Sequence, residues 1–480
     1  MTLDAASLSF IVYGIFVALI SNISRSRLWR STVLMLASLV FLWLVARQPI
    51  LFAPLAGFLL LGFGGLKAIE RGWSKRIVWP VMTVILVYIW LKKYTFLPAG
   101  SFLRFPYLTL GLSYIFFRVL HLQIEAGETR AKNPIGIGSY LLYTLNFTTL
   151  VSGPIQRHEE FARDQFAAEP VALTARVIGL QFERIFRGFF KVNVLAAIFD
   201  ALRQDALAQL FYPLPVTTKF FAAICLAFLY PLFLYCNFSG YIDIVIALAR
   251  LLRLRLPENF DRPFAAASFI DFWNRWHITL SGWLKTYVFN PLMVLLMRTF
   301  TAPAVEPFLA VLAFFVTFFL IGLWHGRTSE FLFFGVLQGG GVAANKLWQV
   351  GMARALGRKG YKELARKSLY IAFSRGLTFT WFAFTLFWFW SSWRQIGECF
   401  SALGAAAWLG VWMTLWLAAT AALEMWERLR QALLAIRTSS GPVLTSRYAR
   451  VVYASAFGLA GLIFTLLLNQ PAPGIVYKAF

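Results

Sequence analysis

Charge is scarce in this 480-residue chain: 14% of its residues are Asp, Glu, Lys or Arg, against about 25% in an average soluble protein. A soluble globular domain is thereby excluded, because a content of 59% hydrophobic and 18% aromatic residues leaves too little polar surface to cover one. Cysteine is nearly absent. Cys225, Cys236 and Cys399 form no CxxC and no metal-ligand spacing, which argues against a disulfide framework, a thiol redox site and structural zinc. The chain has no Walker loop, no GxGxxG and no GxSxG elbow, so nucleotide hydrolysis, dinucleotide binding and serine-hydrolase chemistry lack support. It has four histidines and no HExxH, and no metal site is expected. No low-complexity linker and no internal repeat divides it, so a single membrane domain over residues 1–480 is expected.

What the chain does have is uncharged length. Residues 31–46, 220–242, 307–324 and 451–468 approach or exceed the roughly 17–25 residues that span a bilayer. About 11–13 segments of this kind can be counted. They lack the apolar/polar alternation of barrel strands, so the fold class is all-α, a polytopic helical bundle. The first apolar segment, near Leu8 to Ile20, follows Asp4 and precedes Arg25, Arg27 and Arg30, the reverse of a cleavable signal. Lys and Arg collect on the cytoplasmic side, which places residues 67–76, 125–132, 354–367 and 428–450 inside. Both termini, the tail NQPAPGIVYKAF included, are then expected outside; Lys92 and Lys93 run against the scheme. The net charge of +24 sits in these short loops beside apolar spans, where topology and anionic headgroups explain it and nucleic acid is not needed.

Ionisable groups enter apolar surroundings between about Glu183 and Glu330, and in a bilayer such groups mark a cavity, a pathway or a site. Four stretches there depart from plain helix. NFTTLVSGPIQRHEEF, from Asn146, breaks at Gly153 and Pro154. NFSGYIDIVIALARLL, from Asn237, buries Asp243, which either serves an ion pathway or pairs with an arginine, the favoured reading; RLRLPENFDRPF follows it as a surface or re-entrant loop.

IDFWNRWHITLSGWLKTYVFNPL, from Ile270, places Asp271 and Arg275 four apart, so that on a helix they neutralise each other. Trp273, His277 and Ser281 share the same spacing and would present an imidazole and a hydroxyl on one face. LIGLWHGRTSEFLFFG, from Leu320, carries His325 between Trp324 and Gly326, where Gly322 and Gly326 would admit a close helix. A neutral imidazole can take a proton from a hydroxyl, as acyl transfer to an alcohol requires; the alternative is a histidine that only bonds a carbonyl between helices. His121 and His158 are read as structural, and the glycines of QGGGVAAN, from Gln338, as tight helix packing.

In order along the chain, SGPIQR at Ser152, RGFFKVNVLAAIFD at Arg187, NFSGYIDIVIALARLLRLRLPENFDRPF at Asn237, FWNRWHITLSGWLKTYVF at Phe272 and GLWHG at Gly322 resemble the membrane-bound O-acyltransferase (MBOAT) family. The likeness is greatest to its bacterial branch, which contains the alginate O-acetylation and teichoic-acid D-alanyl transfer membrane proteins. It covers a core of residues 105–350; residues 1–104 and 351–480 match only as peripheral hydrophobic helices.

The resemblance implies helices and re-entrant segments around a tunnel, with His325 catalytic by motif and His277 the second histidine, nearer the cytoplasm. It implies no bound cofactor. An acyl thioester, acetyl-CoA or an acyl carrier protein, would be the donor from the cytoplasm, and a hydroxyl would arrive from outside the bacterial inner membrane. A periplasmic or extracellular acyltransferase partner would pass the group on to an envelope or secreted polysaccharide. Trp324, Asn274, Trp276 and Ser281 are candidates to hold the donor or its oxyanion, Trp273 and Trp276 to wall the tunnel, and Asp271 with Arg275 to form a structural pair. Lys285 would snorkel to the interface. Acetyl is the expected group and D-alanyl the alternative. A transporter or flippase, or a scaffold that docks a soluble transferase, are the readings from other classes.

Overall fold

The computed structural model describes residues 7–468 apart from 47, 74–76, 108, 130–133, 439–440 and 443–445. The residues used above to orient the two termini, Asp4 and the tail NQPAPGIVYKAF, lie outside the described residues. The described chain is helical nearly throughout. Its first elements are α1 (Leu8–Ser21), α2 (Arg27–Val45), α3 (Ala53–Glu70), α4 (Val78–Leu91), α5 (Leu112–Thr129), α6 (Ile137–Thr144) and α7 (His158–Gln165). The middle holds α8 (Ala175–Phe190), α9 (Ala197–Phe211), α10 (Val216–Leu251), α11 (Phe269–Arg275), α12 (Ile278–Leu284) and α13 (Asn290–Thr299). The last are α14 (Glu306–His325), α15 (Ser329–Leu364), α16 (Ser368–Thr385), α17 (Phe387–Trp390), α18 (Trp393–Leu403), α19 (Ala405–Ala435) and α20 (Arg447–Leu468). A two-residue antiparallel ladder pairs Arg437–Thr438 with Gly441–Pro442.

Among the described residues six helical stretches are long and apolar enough to cross a membrane: Arg27–Val45, Pro49–Glu70, Val216–Leu251, Glu306–His325, Ala405–Ala435 and Tyr448–Thr465. Leu8–Ser21 and Val78–Leu91 are shorter apolar helices. The chain is an all-α, multi-pass membrane protein. Other apolar runs are carried by helices that turns cut short, such as α11, α12 and α13.

The chain folds as two compact units. One comprises Met1–Asn193, Asn237–Glu258 and Phe457–Phe480. In it α8 crosses the end of α10 at two glycines: a Cβ on Gly188 would lie 2.5 Å from the Gly240 carbonyl oxygen, and one on Gly240 2.7 Å from that of Gly188. This approach aligns Arg184, Arg187 and Lys191 on Asp243, at 2.9, 3.2 and 2.9 Å. Asp243 is thus neutralised by three cations, the pairing that its place in an apolar helix requires.

Arg118, 2% exposed in α5, donates to the carbonyls of Tyr143, Thr144 and Thr149. His121 accepts from the His158 backbone N–H at 3.3 Å, and His158 shares a hydrogen bond with Ser139 at 2.9 Å. These two histidines hold the turn that precedes α7.

The other unit comprises Val194–Cys236 and Asn259–Ala456. Its spine is α14 against α15. A Cβ on Gly322 would come 2.3 Å from Gly335 Cα, one on Gly335 2.5 Å from the Phe319 oxygen, and one on Gly339 2.6 Å from the Phe315 oxygen. Backbone therefore meets backbone over about two helical turns, as small residues permit in a bilayer. At Gly357, φ is +72°, a left-handed conformation suited to glycine, and α15 kinks there before its basic C-terminal segment.

Candidate active site

Two buried imidazoles define the site, both in the second unit. The chain leaves α11 at Trp276 in extended form, and His277 is left-handed, with φ 47° and ψ 52°, before α12 begins at Ile278. An antiparallel bridge between Phe260 and Trp276 holds this break. Within it Asp261 N–H donates to the Arg275 oxygen at 2.9 Å and Ile278 N–H to the Asn259 oxygen at 3.0 Å.

This corrects the single-helix reading of the stretch from Ile270. Trp273, His277 and Ser281 do not share a helical face, because the left-handed residue reorients everything after it. Ser281 Oγ instead donates back to the Trp276 oxygen at 3.5 Å. Residues 259–261 take the bonds a continuous helix would have made, and spacing within the stretch cannot reveal so distant a partner.

His277 is 1% exposed and its ring Nδ1 lies 3.2 Å from Asn259 Oδ1. His325, 2% exposed, is the last residue of α14. The rings of Trp324, Phe389 and Phe334 surround it at centroid distances of 4.8, 5.1 and 5.8 Å. Trp324 also lies 6.3 Å from the His277 ring, so one indole neighbours both histidines.

Trp273 packs on Phe318 of α14 at 5.1 Å, while Trp276 stacks on Phe272 at 5.6 Å and meets Phe382 at 5.1 Å. Asp271 and Arg275 form an ion pair at 3.0 Å, and Asp261 lies 3.6 Å from the same guanidinium. Asn274 is exposed on α11, whereas both histidines are buried. Lys285 is exposed at the start of a π turn, Lys285–Phe289. Among the described residues no group of three His, Cys, Asp or Glu is placed to hold a metal.

A cavity of about 580 Å³ adjoins α11, lined by Asp271, Gly341, Asn345, Gln349, Thr378 and Trp381 among others. Phe269 also lines it and stacks on Phe272, which stacks on Trp276, so a row of rings leads from the cavity to the residue before His277. Tyr361 and Ala365 line it from the basic segment that follows the Gly357 kink.

Burial keeps His277 neutral: desolvation, opposed by a hydrogen bond to its own carbonyl, pushes it down from 6.5 to about 3. In the first unit burial pushes His158 down to about 4. In the unfolded chain both titrate near 6.5. Between pH 6.5 and 4 the unfolded chain binds more protons than the folded one, so stability falls as pH falls, by about 1.4 kcal/mol per unit for each group. Thermal unfolding in detergent at pH 7 and pH 5 is expected to show a smaller acid-induced fall in Tm for His277→Gln than for wild type. An equal fall would assign the pH dependence elsewhere.

The family follows from a match that covers more than half of the chain: the model of MBOAT, the membrane-bound O-acyltransferase family, fits residues 80–362. The chain belongs to that family. Both imidazoles fall within the matched MBOAT region, as do Trp324 and the loop that carries Asn259. Among curated MBOAT relatives, the teichoic acid D-alanyltransferase of Streptococcus thermophilus is 30% identical over 245 residues, 50% of this chain and 57% of that protein. The peptidoglycan O-acetyltransferase of Helicobacter pylori is 29% identical over 209 residues, 44% of this chain and 37% of its own. The probable alginate O-acetylase of Pseudomonas aeruginosa is 29% identical over 252 residues, 52% and 43% respectively. The matched stretch thus spans about half, or less, of each relative.

Sequence reasoning missed Asn259, although it stands in the quoted PENF, and it missed the cavity-lining residues of α15 and α16. A lone asparagine in a charged loop carries no local signal, and the cavity arises only where three helices meet.

Proposed function

We propose that the protein is a membrane O-acyltransferase that moves an acyl group, acetyl in the favoured reading, from a cytoplasmic thioester to a hydroxyl on the extracytoplasmic side. The group would be destined for a cell-envelope or secreted polysaccharide. The observation that carries this is the pair of buried imidazoles about Trp324 in a chain of this family.

In the reaction the His325 imidazole accepts the hydroxyl proton as the oxygen attacks the thioester carbonyl. The C–O bond forms, the C–S bond breaks, and the proton passes on to the leaving sulfur, so that ester and thiol are the products. Walls of Trp273, Trp276, Phe272 and Phe382 keep water, the competing acceptor, from the carbonyl.

The cavity beside α11 takes the donor's pantetheine arm, which coenzyme A and acyl carrier proteins share. Asn345, Gln349, Thr378 and the indole N–H of Trp381 supply partners for its amides, and the exposed basic residues Arg358, Lys362 and Arg366 nearby suit its phosphate. A basic segment of this kind also supports a cytoplasmic position for this end, since Lys and Arg collect on that side. A partner outside the membrane would relay the acyl group to the polymer.

The teichoic acid D-alanyltransferase relative, at 30% identity, favours D-alanyl as the second reading. Proteoliposomes offered labelled acetyl-CoA, acetyl carrier protein or D-alanyl carrier protein, with a polysaccharide acceptor, separate the two by which label becomes an ester. Ala344→Trp, which fills the cavity from its exposed side, is expected to raise the donor KM by about 10-fold, or 1.4 kcal/mol, with kcat held. An unchanged KM places the donor elsewhere, and absence of any ester with every donor removes the transferase reading.

A further inference from the structure

Asn259 is fully buried and presents a single oxygen to three donors. Its Oδ1 lies 3.0 Å from the backbone N of Thr279, 2.8 Å from Thr279 Oγ1 and 3.2 Å from His277 Nδ1. Its backbone oxygen accepts the N–H of Ile278. Helix α12 has no cap from its own sequence, because His277 stands at the N-cap position and its ring makes no cap hydrogen bond. Asn259 supplies that cap from eighteen residues upstream.

The orientation of an asparagine amide must be inferred from what surrounds it, and here one neighbour decides. A backbone N–H can only donate, so the atom facing Thr279 N is the amide oxygen and not its nitrogen. An amide oxygen only accepts, so the hydrogen bond to His277 requires the proton to sit on Nδ1. The same oxygen therefore closes the first turn of α12 and selects the form of the imidazole.

We infer that Asn259 is a positioning residue, which holds His277 as the neutral Nδ1–H tautomer and so leaves Nε2 as the acceptor atom of that ring. The left-handed backbone of His277 serves this arrangement, since a helical residue there would carry the ring away from Asn259. The tautomer stands on the hydrogen-bond geometry alone. Its consequence for transfer rests on the acyltransferase reading: an Nε2 acceptor can accept a hydrogen bond from an amide N–H of the donor's pantetheine arm or from the S–H of the thiol product, and the Nε2–H tautomer can do neither.

The test reads the ring directly. The full-length protein is labelled with ¹⁵N-histidine and reconstituted in lipid for solid-state NMR; with four histidines in the chain, the His277 signals are assigned by their loss in His277→Gln. Wild type is expected to show a neutral ring protonated at Nδ1. Asn259→Leu is expected to show the Nε2–H form or a mixture and to lose ester transfer by about 10²-fold, while Asn259→Asp, which keeps an acceptor oxygen, retains the Nδ1–H form and most of the transfer.

A wild-type His277 protonated at Nε2 overturns the proposal without any variant, which covers the case in which Asn259→Leu fails to fold. An unchanged tautomer in folded Asn259→Leu overturns it as well. If the tautomer shifts as stated and transfer in Asn259→Leu stays at the wild-type rate, the catalytic consequence falls. Loss of the acyltransferase reading would register differently, as absence of ester from wild type while the spectrum stays as stated.

Discussion

His325→Ala is expected to accumulate in the membrane at the wild-type level and to leave the envelope polymer without its ester. On the proposed mechanism the substitution removes the proton acceptor at the end of α14, and loss of a general base costs about 10²- to 10⁴-fold. Packing alone does not predict such a loss. The ring of His325 sits among Trp324, Phe334 and Phe389, and trimming it leaves a void that these neighbours can partly fill. Blotting of membranes measures abundance, and mass spectrometry of alkali-released acid measures transfer. The acid released from wild type also names the acyl group. Ester that persists at the wild-type level in His325→Ala would make this histidine a packing residue, and a transporter or a docking scaffold would then be the better reading.

Gly322→Val is expected to fail in the opposite way, by loss of the folded protein. A Cβ at this position would stand 2.3 Å from Gly335 Cα, 2.4 Å from Gly335 N and 2.4 Å from the Phe331 oxygen, all of them backbone atoms that no rotamer change can clear. The helices α14 and α15 must separate to admit it, at a cost of about 3 kcal/mol or more. Thermal unfolding in detergent is the measurement. Gly340→Ala is the control: its Cβ would meet nothing within 4 Å, so its Tm should stay at the wild-type value. Equal melting of wild type and Gly322→Val would mean that the α14–α15 seam does not hold the unit together.

Much of this was legible from residue order, and the exceptions share one cause. Hydrophobic length announced the spans, because a bilayer demands an uncharged run of fixed length whatever surrounds it. Asp243 could be read as paired because a lone carboxylate is too costly in an apolar helix, and Arg184, Arg187 and Lys191 supply the charge. The Asp271–Arg275 pair obeys the four-residue rule because both residues lie inside α11. The same rule failed from Trp273 to His277 to Ser281. Helical spacing assumes helical backbone, and the bridge from Phe260 to Trp276 that breaks it comes from a separate loop. Asn259 was invisible for the same reason, since its role is made by three donors that lie beyond α11.

Arg118 has a consequence for how the protein is made. Its guanidinium rests on the carbonyls of Tyr143, Thr144 and Thr149, which lie 25 to 31 residues further along the chain. When α5 first leaves the ribosome those oxygens do not yet exist, and a charge buried without partners is costly. The close packing of α5 therefore waits until translation has passed Thr149, so that a later piece of the same polypeptide completes the burial of an earlier one.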